Sequence, residues 1–312
     1  MKIVFLDVKT IGEDIDLSAF HAFGEVIKYQ NSTEEQALER TKDADILIVN
    51  KISVNEHTIG KAEHLKLVCE AATGTDNLDK RYLEKRGIAW RNVAGYSTEI
   101  VAQHTFALLF YVMEKLSYYD KFVKNGDYSR SDIFTDLTQE IHEVYGKTWG
   151  IVGLGAIGRR VAAIAEAFGA KVIYASASGG KPQAGYHQVD LDTLYRESDI
   201  ISVHAPLNQY TKDLIDAKAF SKMKKSCIFL NLGRGPIVIE KDLAEALENH
   251  EIAAAGLDVL CQEPLPSDHP LLKIQDSGRL IITPHTAWAS VEARTRLMQL
   301  VHGQIKEFLG EQ

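Results

Sequence analysis

Trp149-Gly150-Ile151-Val152-Gly153-Leu154-Gly155-Ala156-Ile157-Gly158 is an apolar run that passes directly into G-x-G-x-x-G. The run predicts a buried strand, and Arg159–Phe168 beyond it predicts a helix. Each glycine has its own task in that setting. Gly153 allows the tight turn, Gly155 lets backbone approach a pyrophosphate, and Gly158 lets the helix pack closely on the strand. The helix N-terminus, with Ala156 and Ile157 in its first turn, offers N–H groups and partial positive charge to phosphates. Glycines also serve ordinary turns, but the strand–turn–helix context favours a dinucleotide. Methyltransferases use related loops, so this stretch alone does not specify hydride chemistry.

Outward from that loop the same rhythm runs through most of the chain. Short Ile/Val/Leu-rich runs at 3–6, 46–50, 67–71, 88–90, 172–175, 200–204, 227–231, 254–258 and 280–283 predict parallel strands buried on both faces. Segments 33–42, 79–86, 159–168 and 240–249 predict the crossover helices. The sum is a doubly wound α/β architecture. Two stretches break the alternation. Ser97–Met113 reads as one long helix, capped by Thr98 and apolar on most sides, which predicts burial between layers, domains or subunits. Ser290–Leu309 reads as a final helix. The predicted division is therefore a discontinuous first domain, 1–97 with 288–312, and an inserted second domain, 98–287.

With 35 basic and 43 acidic residues the net charge is −8, which argues against a general binder of nucleic acid or anionic membranes. The longest apolar stretch, Phe106–Met113, falls far short of the ~20 residues that span a bilayer. Cys69, Cys227 and Cys261 show neither disulfide nor zinc spacing. A cytoplasmic protein without a metal is expected. The strand after the glycine helix ends at Ser176, where an acid would bind the ribose 2′-hydroxyl of NAD and repel the 2′-phosphate of NADP. Ser178 and Lys181 could meet such a phosphate, although Lys181 also reads as a solvated loop charge. NAD is the first expectation and NADP the alternative.

Three further segments each place a polar residue just beyond a strand: Asn231-Leu232-Gly233-Arg234-Gly235, Gly256-Leu257-Asp258-Val259 leading to Glu263-Pro264, and Thr283-Pro284-His285-Thr286-Ala287-Trp288. Open α/β sheets bind ligands at that edge. Singly, each has an ordinary alternative: a surface arginine beside a turn, a solvated glutamate, a satisfied histidine.

In order along the chain, Gly153–Gly158, Val203-His204-Ala205-Pro206-Leu207, and the Arg234, Glu263 and His285 segments resemble the D-isomer-specific 2-hydroxyacid dehydrogenase family. Tyr96-Ser97-Thr98, Val101-Ala102-Gln103-His104 and Pro284–Ala289 look most like its glycerate dehydrogenase (hydroxypyruvate reductase) branch. The resemblance implies a Rossmann cofactor domain inserted into a flavodoxin-like substrate domain, and a homodimer formed through the long-helix region. It implies NAD contacts at Gly153, Gly155, Ala156, Ile157, Gly158, Ser176, His204, Ala205, Pro206, Thr211, Leu232, Gly233 and Asp258. A small 2-keto or 2-hydroxy acid would be held by Ala72, Thr73, Gly74, Tyr96, Arg234 and Trp288. The catalytic group would be Arg234, Glu263 and His285.

The residue types suit that reaction. A permanent cation at Arg234 would stabilise the oxyanion that builds as hydride reaches C2. His285 would exchange the proton. Glu263 would orient the imidazole and favour its charged form. His104 is expected to be structural. Glu70 stands where relatives acting on phosphoglycerate often carry Arg. An anion there would disfavour a phosphorylated substrate if it faces the pocket; otherwise it would be a solvated strand end. A D-lactate-type or broad 2-keto-acid reductase is the rival enzyme, and an NAD-sensing, corepressor-like binding protein the rival of another class.

Overall fold

The computed structural model describes residues 1–179 and 183–310, so Lys181 lies outside the described residues. The chain divides into two compact units, Thr98–Trp288 and a discontinuous one of Met1–Ser97 with the segment from Ala289 onward.

The discontinuous unit holds five parallel strands: β1 (Lys2–Phe5), β2 (Glu25–Lys28), β3 (Ile46–Val49), β4 (Leu67–Glu70) and β5 (Ala89–Asn92). Their order is β2-β1-β3-β4-β5, the flavodoxin-like order. Helices α1 (Glu34–Arg40), α2 (Glu56–Ile59) and α3 (Lys80–Lys85) lie along the crossovers. Strands β3 and β4 are buried at every position, as parallel strands covered on both faces must be. Local sequence sets the helix starts. Thr33 and Gln36 close a reciprocal capping box on α1, and the Asp79 carboxylate caps α3 through the Tyr82 N–H.

The chain returns to this unit in its last helix, Val291–Leu309. Ser290 caps its start and Gly310, at φ 73°, closes its end in the left-handed conformation. Its buried side is Ala293, Leu297, Met298, Val301 and Ile305, one face at helical spacing. Polar side chains fix it in place. Arg294 binds Asp14 and the Ile11 carbonyl, Arg296 donates to Tyr96 O at 2.6 Å, and Gln304 donates to Asn92 O at 2.8 Å.

The second unit begins with α4 (Thr98–Met113) and α5 (Leu116–Lys124). Seven parallel strands follow: β6 (Thr148–Val152), β7 (Lys171–Ala175), β8 (His187–Gln188), β9 (Ile200–Val203), β10 (Ile228–Asn231), β11 (Ala254–Leu257) and β12 (Leu280–Ile282). Their order is β12-β11-β10-β9-β6-β7-β8. Numbered from β6 within the unit, this contains the doubly wound order 3-2-1-4-5-6 with one strand added. Helices α6 (Ala156–Ala167), α7 (Leu191–Glu197), α8 (Ala217–Lys222) and α9 (Glu240–Glu248) complete the windings. Strand order reverses between β6 and β9, and the glycine loop leaves β6 at that switch point.

Helix α4 explains its own composition. It packs on β10, β11, β12 and α6, and buries Val101, Ala102, Phe106, Leu108, Leu109, Val112 and Met113. Phe106 meets the fully buried Trp149 of β6 with ring centroids 4.9 Å apart, and the Trp149 indole N–H donates to Ser202 Oγ at 2.9 Å. Thr98 is the first residue inside the helix. Trp288 groups with this unit: its ring packs against the core cluster that contains Trp149. No helix among the described residues is long and apolar enough to cross a membrane.

Candidate active site

The glycine loop separates three physical demands. Gly153 has φ +93°, and a Cβ there would lie 2.8 Å from the Ala205 backbone. A Cβ on Gly158 would overlap the Gly153 carbonyl oxygen, so its absence lets α6 sit directly on the turn. At Gly155, the N-cap of α6, a Cβ would meet nothing within 4 Å. There is open room in front of a twelve-residue helix whose first N–H groups lack intrahelical partners. That is the cradle a pyrophosphate fits.

Beside it, Ala205 is pinched between loops: a Cβ on Gly233 would stand 2.9 Å from Ala205 O. Leu232 is buried, and its N–H bonds Val203 O. The Thr211 hydroxyl is committed to its own loop, donating to Pro206 O at 2.7 Å and accepting from Asn208 N at 2.8 Å. Thr211 therefore shapes the stretch from Pro206. His204 follows β9, and burial pushes its imidazole down to about 3; both ring nitrogens are buried without a hydrogen-bond partner. Ser176, just past β7, has its hydroxyl 3.4 Å from that of Ser178.

Arg234, Glu263 and His285 follow β10, β11 and β12, which are consecutive parallel neighbours. Their strand ends share one edge of the sheet, and the outer two are about 10 Å apart at the usual strand spacing. His285 Nδ1 lies 2.7 Å from Glu263 Oε2. The other oxygen, Oε1, accepts the Leu260 N–H at 2.9 Å. Arg234 is half-buried and donates to Gly233 O at 2.9 Å, while Asn231 Nδ2 holds the Arg234 carbonyl at 3.1 Å.

Gly235 joins the arginine loop to the glutamate loop. Any Cβ on it would overlap the Leu260 carbonyl and the Cys261 nitrogen, so the two loops touch backbone to backbone. Glu240 braces the same loop. It accepts the Cys261 N–H at 2.7 Å and faces His269 Nε2 at 3.0 Å, and His269 Nδ1 accepts from Leu271 N.

His285 sits at φ 55°, an uncommon place for a side-chain-bearing residue. Asp258 holds it there. The Asp258 carbonyl accepts the His285 N–H at 2.8 Å, and its buried carboxylate takes Thr283 Oγ1, Thr286 N and Ala287 N at 2.6, 2.9 and 3.0 Å. His104 Nε2 lies 3.0 Å from Thr283 Oγ1, whose own proton is used on Asp258. His104 thus completes a chain from α4 to the turn carrying His285. Neither Gly235 nor Glu240 announces itself in the sequence: one is a glycine among many, the other a charge at a helix start.

The remaining predicted residues lie in the discontinuous unit. Val93 N donates to Ala72 O at 3.0 Å, the Thr73 hydroxyl to Val93 O at 2.9 Å, and Asn92 Nδ2 to Thr73 O at 2.8 Å. Gly74 follows in the same partly exposed loop, and Tyr96 is 4% exposed. Glu70 corrects the expectation placed on it. It is fully buried at the end of β4, not solvated, and burial pushes its carboxyl up to about 9, so it is neutral and not an anion at physiological pH.

Residues 106–287 match the family model described as D-isomer specific 2-hydroxyacid dehydrogenase, NAD binding domain. The chain is 37% identical over 309 residues to a glycerate dehydrogenase of Methylorubrum extorquens, covering 99% of this chain and 96% of that one. It is 34% identical over 315 residues to a hydroxypyruvate reductase of Blautia hydrogenotrophica, covering 99% and 97%. Among solved structures, an acyclic imino acid reductase in complex with NADPH and D-Arg superposes with a TM-score of 0.88 at 31% identity, over 99% of this chain and 97% of that chain.

The glycine geometry separates two substitutions. Gly155→Val is expected to weaken NADH at least tenfold in a fluorescence titration while leaving the urea midpoint near wild type, because its side chain meets only the open cradle. Gly158→Val should instead lower the urea midpoint, because its side chain meets backbone.

Proposed function

The chain belongs to the D-isomer-specific 2-hydroxyacid dehydrogenase family, and we propose that within it the protein works as a glycerate dehydrogenase, reducing hydroxypyruvate and glyoxylate. The coarser activity is that of an NAD(P)-dependent D-2-hydroxyacid dehydrogenase. The observation that carries the finer mechanism is the His285–Glu263 pair at 2.7 Å, one strand away from the loop of Arg234. The names of the two relatives support the choice of substrate.

When bound, the dihydronicotinamide supplies hydride to C2 of the keto acid. Arg234 would supply the fixed cation that stabilises the charge growing on the keto oxygen, and its planar fork also suits the neighbouring carboxylate. His285 turns Nδ1 to Glu263, which leaves Nε2 to deliver a proton to that oxygen and to take it back in oxidation. Glu263 meanwhile fixes the ring plane and offsets the imidazolium charge. The backbone N–H groups of Ala72, Thr73 and Gly74 receive the substrate carboxylate, and Tyr96 and Trp288 bound the rest of the substrate. The Asp258 carboxylate, which the resemblance assigns to the nicotinamide carboxamide, is engaged with Thr283, Thr286 and Ala287, and so holds the turn that carries His285.

A second copy of the chain is the proposed partner. Ile133, Phe134, Leu137, Ile141 and Tyr145, beyond α5, expose large apolar side chains, with Phe134 at 89% and Leu137 at 82%. So much apolar surface in one short stretch suits a homodimer interface.

Initial rates with NADH or NADPH test the substrate reading. Hydroxypyruvate and glyoxylate are expected to exceed pyruvate in kcat/KM; a preference for pyruvate would give the D-lactate-type reading instead. NADH binding without turnover of any 2-keto acid would favour the binding-protein reading.

His285→Ala should cut turnover about 100-fold or more in a folded protein, the scale of lost acid–base help. Glu263→Gln should move the alkaline limb of keto-acid reduction to lower pH, because the charged ring loses its anionic partner; an unmoved profile refutes the pairing. Phe134→Asp with Leu137→Asp is expected to halve the mass measured by light scattering, and an unchanged mass would exclude this surface as the dimer contact.

A further inference from the structure

Two buried carboxyls lie at the carboxyl edge of the five-stranded sheet, outside the chemistry above. Asp7, just past β1, is 3% exposed and gathers the N–H groups of Asn50, Lys51 and Ile52 at 2.6–3.2 Å. Glu70, at the end of β4, is fully buried. Its Oε2 accepts from Asn77 Nδ2 at 2.8 Å, while Oε1 is buried with no hydrogen-bond partner. The same Asn77 Nδ2 also donates to Ile52 O at 3.0 Å, and Asn77 O accepts the Val54 N–H at 2.8 Å. Asn77 thus stitches the end of the Ala71–Asn77 loop to the chain after β3, and Glu70 fixes the stitch from below.

We propose that Glu70 is a positioning residue whose carboxyl, acting through Asn77, holds the Ala71–Asn77 loop in the shape that receives the substrate carboxylate. This rests on the reading that the loop binds substrate. Burial favours the neutral acid, with Oε2 as the carbonyl acceptor facing Asn77 and Oε1, which has no partner among the described residues, as the hydroxyl. Ionised, it would place a buried charge near Asp7 and Asp76, with Lys51 opposing them. An unpaired buried carboxylate oxygen is strongly disfavoured.

The sign of the pH dependence follows. In the unfolded chain this group titrates near 4.5, and in the folded protein near 9. Between those values the native state keeps a proton that the unfolded state releases, so this group's contribution to stability falls as pH rises through the window. Glu70→Gln keeps an acceptor for Asn77 and cannot ionise. It should gain on wild type in urea midpoint steadily from pH 5 to 9. Above pH 9 wild type should lose substrate affinity as the loop slackens, and the Gln variant should not share that loss.

The decisive experiment uses the full-length protein as wild type, Glu70→Gln and Glu70→Ala. It measures KM and kcat for hydroxypyruvate with NADH from pH 7 to 10, together with amide hydrogen exchange of the Ala71–Asn77 loop. Glu70→Ala is expected to raise KM about tenfold, leave kcat within about threefold and speed exchange in the loop, with Glu70→Gln restoring both at pH 7. Exchange unchanged in the Ala variant overturns the tether. Faster exchange at unchanged KM overturns the loop's substrate role. If Glu70→Ala fails to fold, the Gln variant alone decides: the same KM rise above pH 9 in it and in wild type overturns the proposal.

Discussion

The arrangement at the edge of the seven-stranded sheet depends on one carboxylate held at both ends. Glu263 has Oε1 fixed by the Leu260 amide and Oε2 against the His285 ring. Free to rotate, the carboxylate would spend most of its time on water, and the imidazole would lose its orientation. Fixed by a main-chain donor, it presents a defined charge to a defined ring nitrogen. Such prior orientation spares the reaction the reorganisation that water would need.

Backbone contacts extend this order to the rest of the edge. Gly235 brings the arginine loop onto Leu260 and Cys261, and Gly153 and Gly233 close on Ala205 from two sides. The polar atoms that matter come from loops, yet the loops are fixed by main chain packed on main chain. Asp258 adds the last constraint, holding His285 in a conformation its own side chain disfavours. The two sheets handle acids differently. Near β11 and β12, Glu263 is partly exposed and faces an imidazole, whereas at β4 Glu70 is fully buried, with Asn77 on one oxygen and no cation paired to it among the described residues, and burial favours its neutral form.

Strands buried on both faces were legible as unbroken apolar runs, and β3, β4, β9 and β10 fall where those runs lie. β2 and β8 were not. Both are edge strands, half-exposed, and Glu25-Val26-Ile27-Lys28 and His187-Gln188 show no continuous apolar signal. Of the site, Arg234, Glu263 and His285 stood out because a polar residue directly after an apolar strand is informative. Glu240, Gly235 and Thr283 did not, since bracing residues carry no pattern of their own.

The sequence by itself determined the alternation of strand and helix, the strand–glycine–helix unit and the placement of three chemical groups at strand ends. These follow from periodicity and local chain sterics, which act over a few residues. Only the tertiary structure decided strand order, the meeting of Glu263 with His285 across twenty-two positions, and the fate of Glu70. Those outcomes depend on which distant segments exclude water from one another, and a carboxyl has no charge state of its own until its surroundings are assembled.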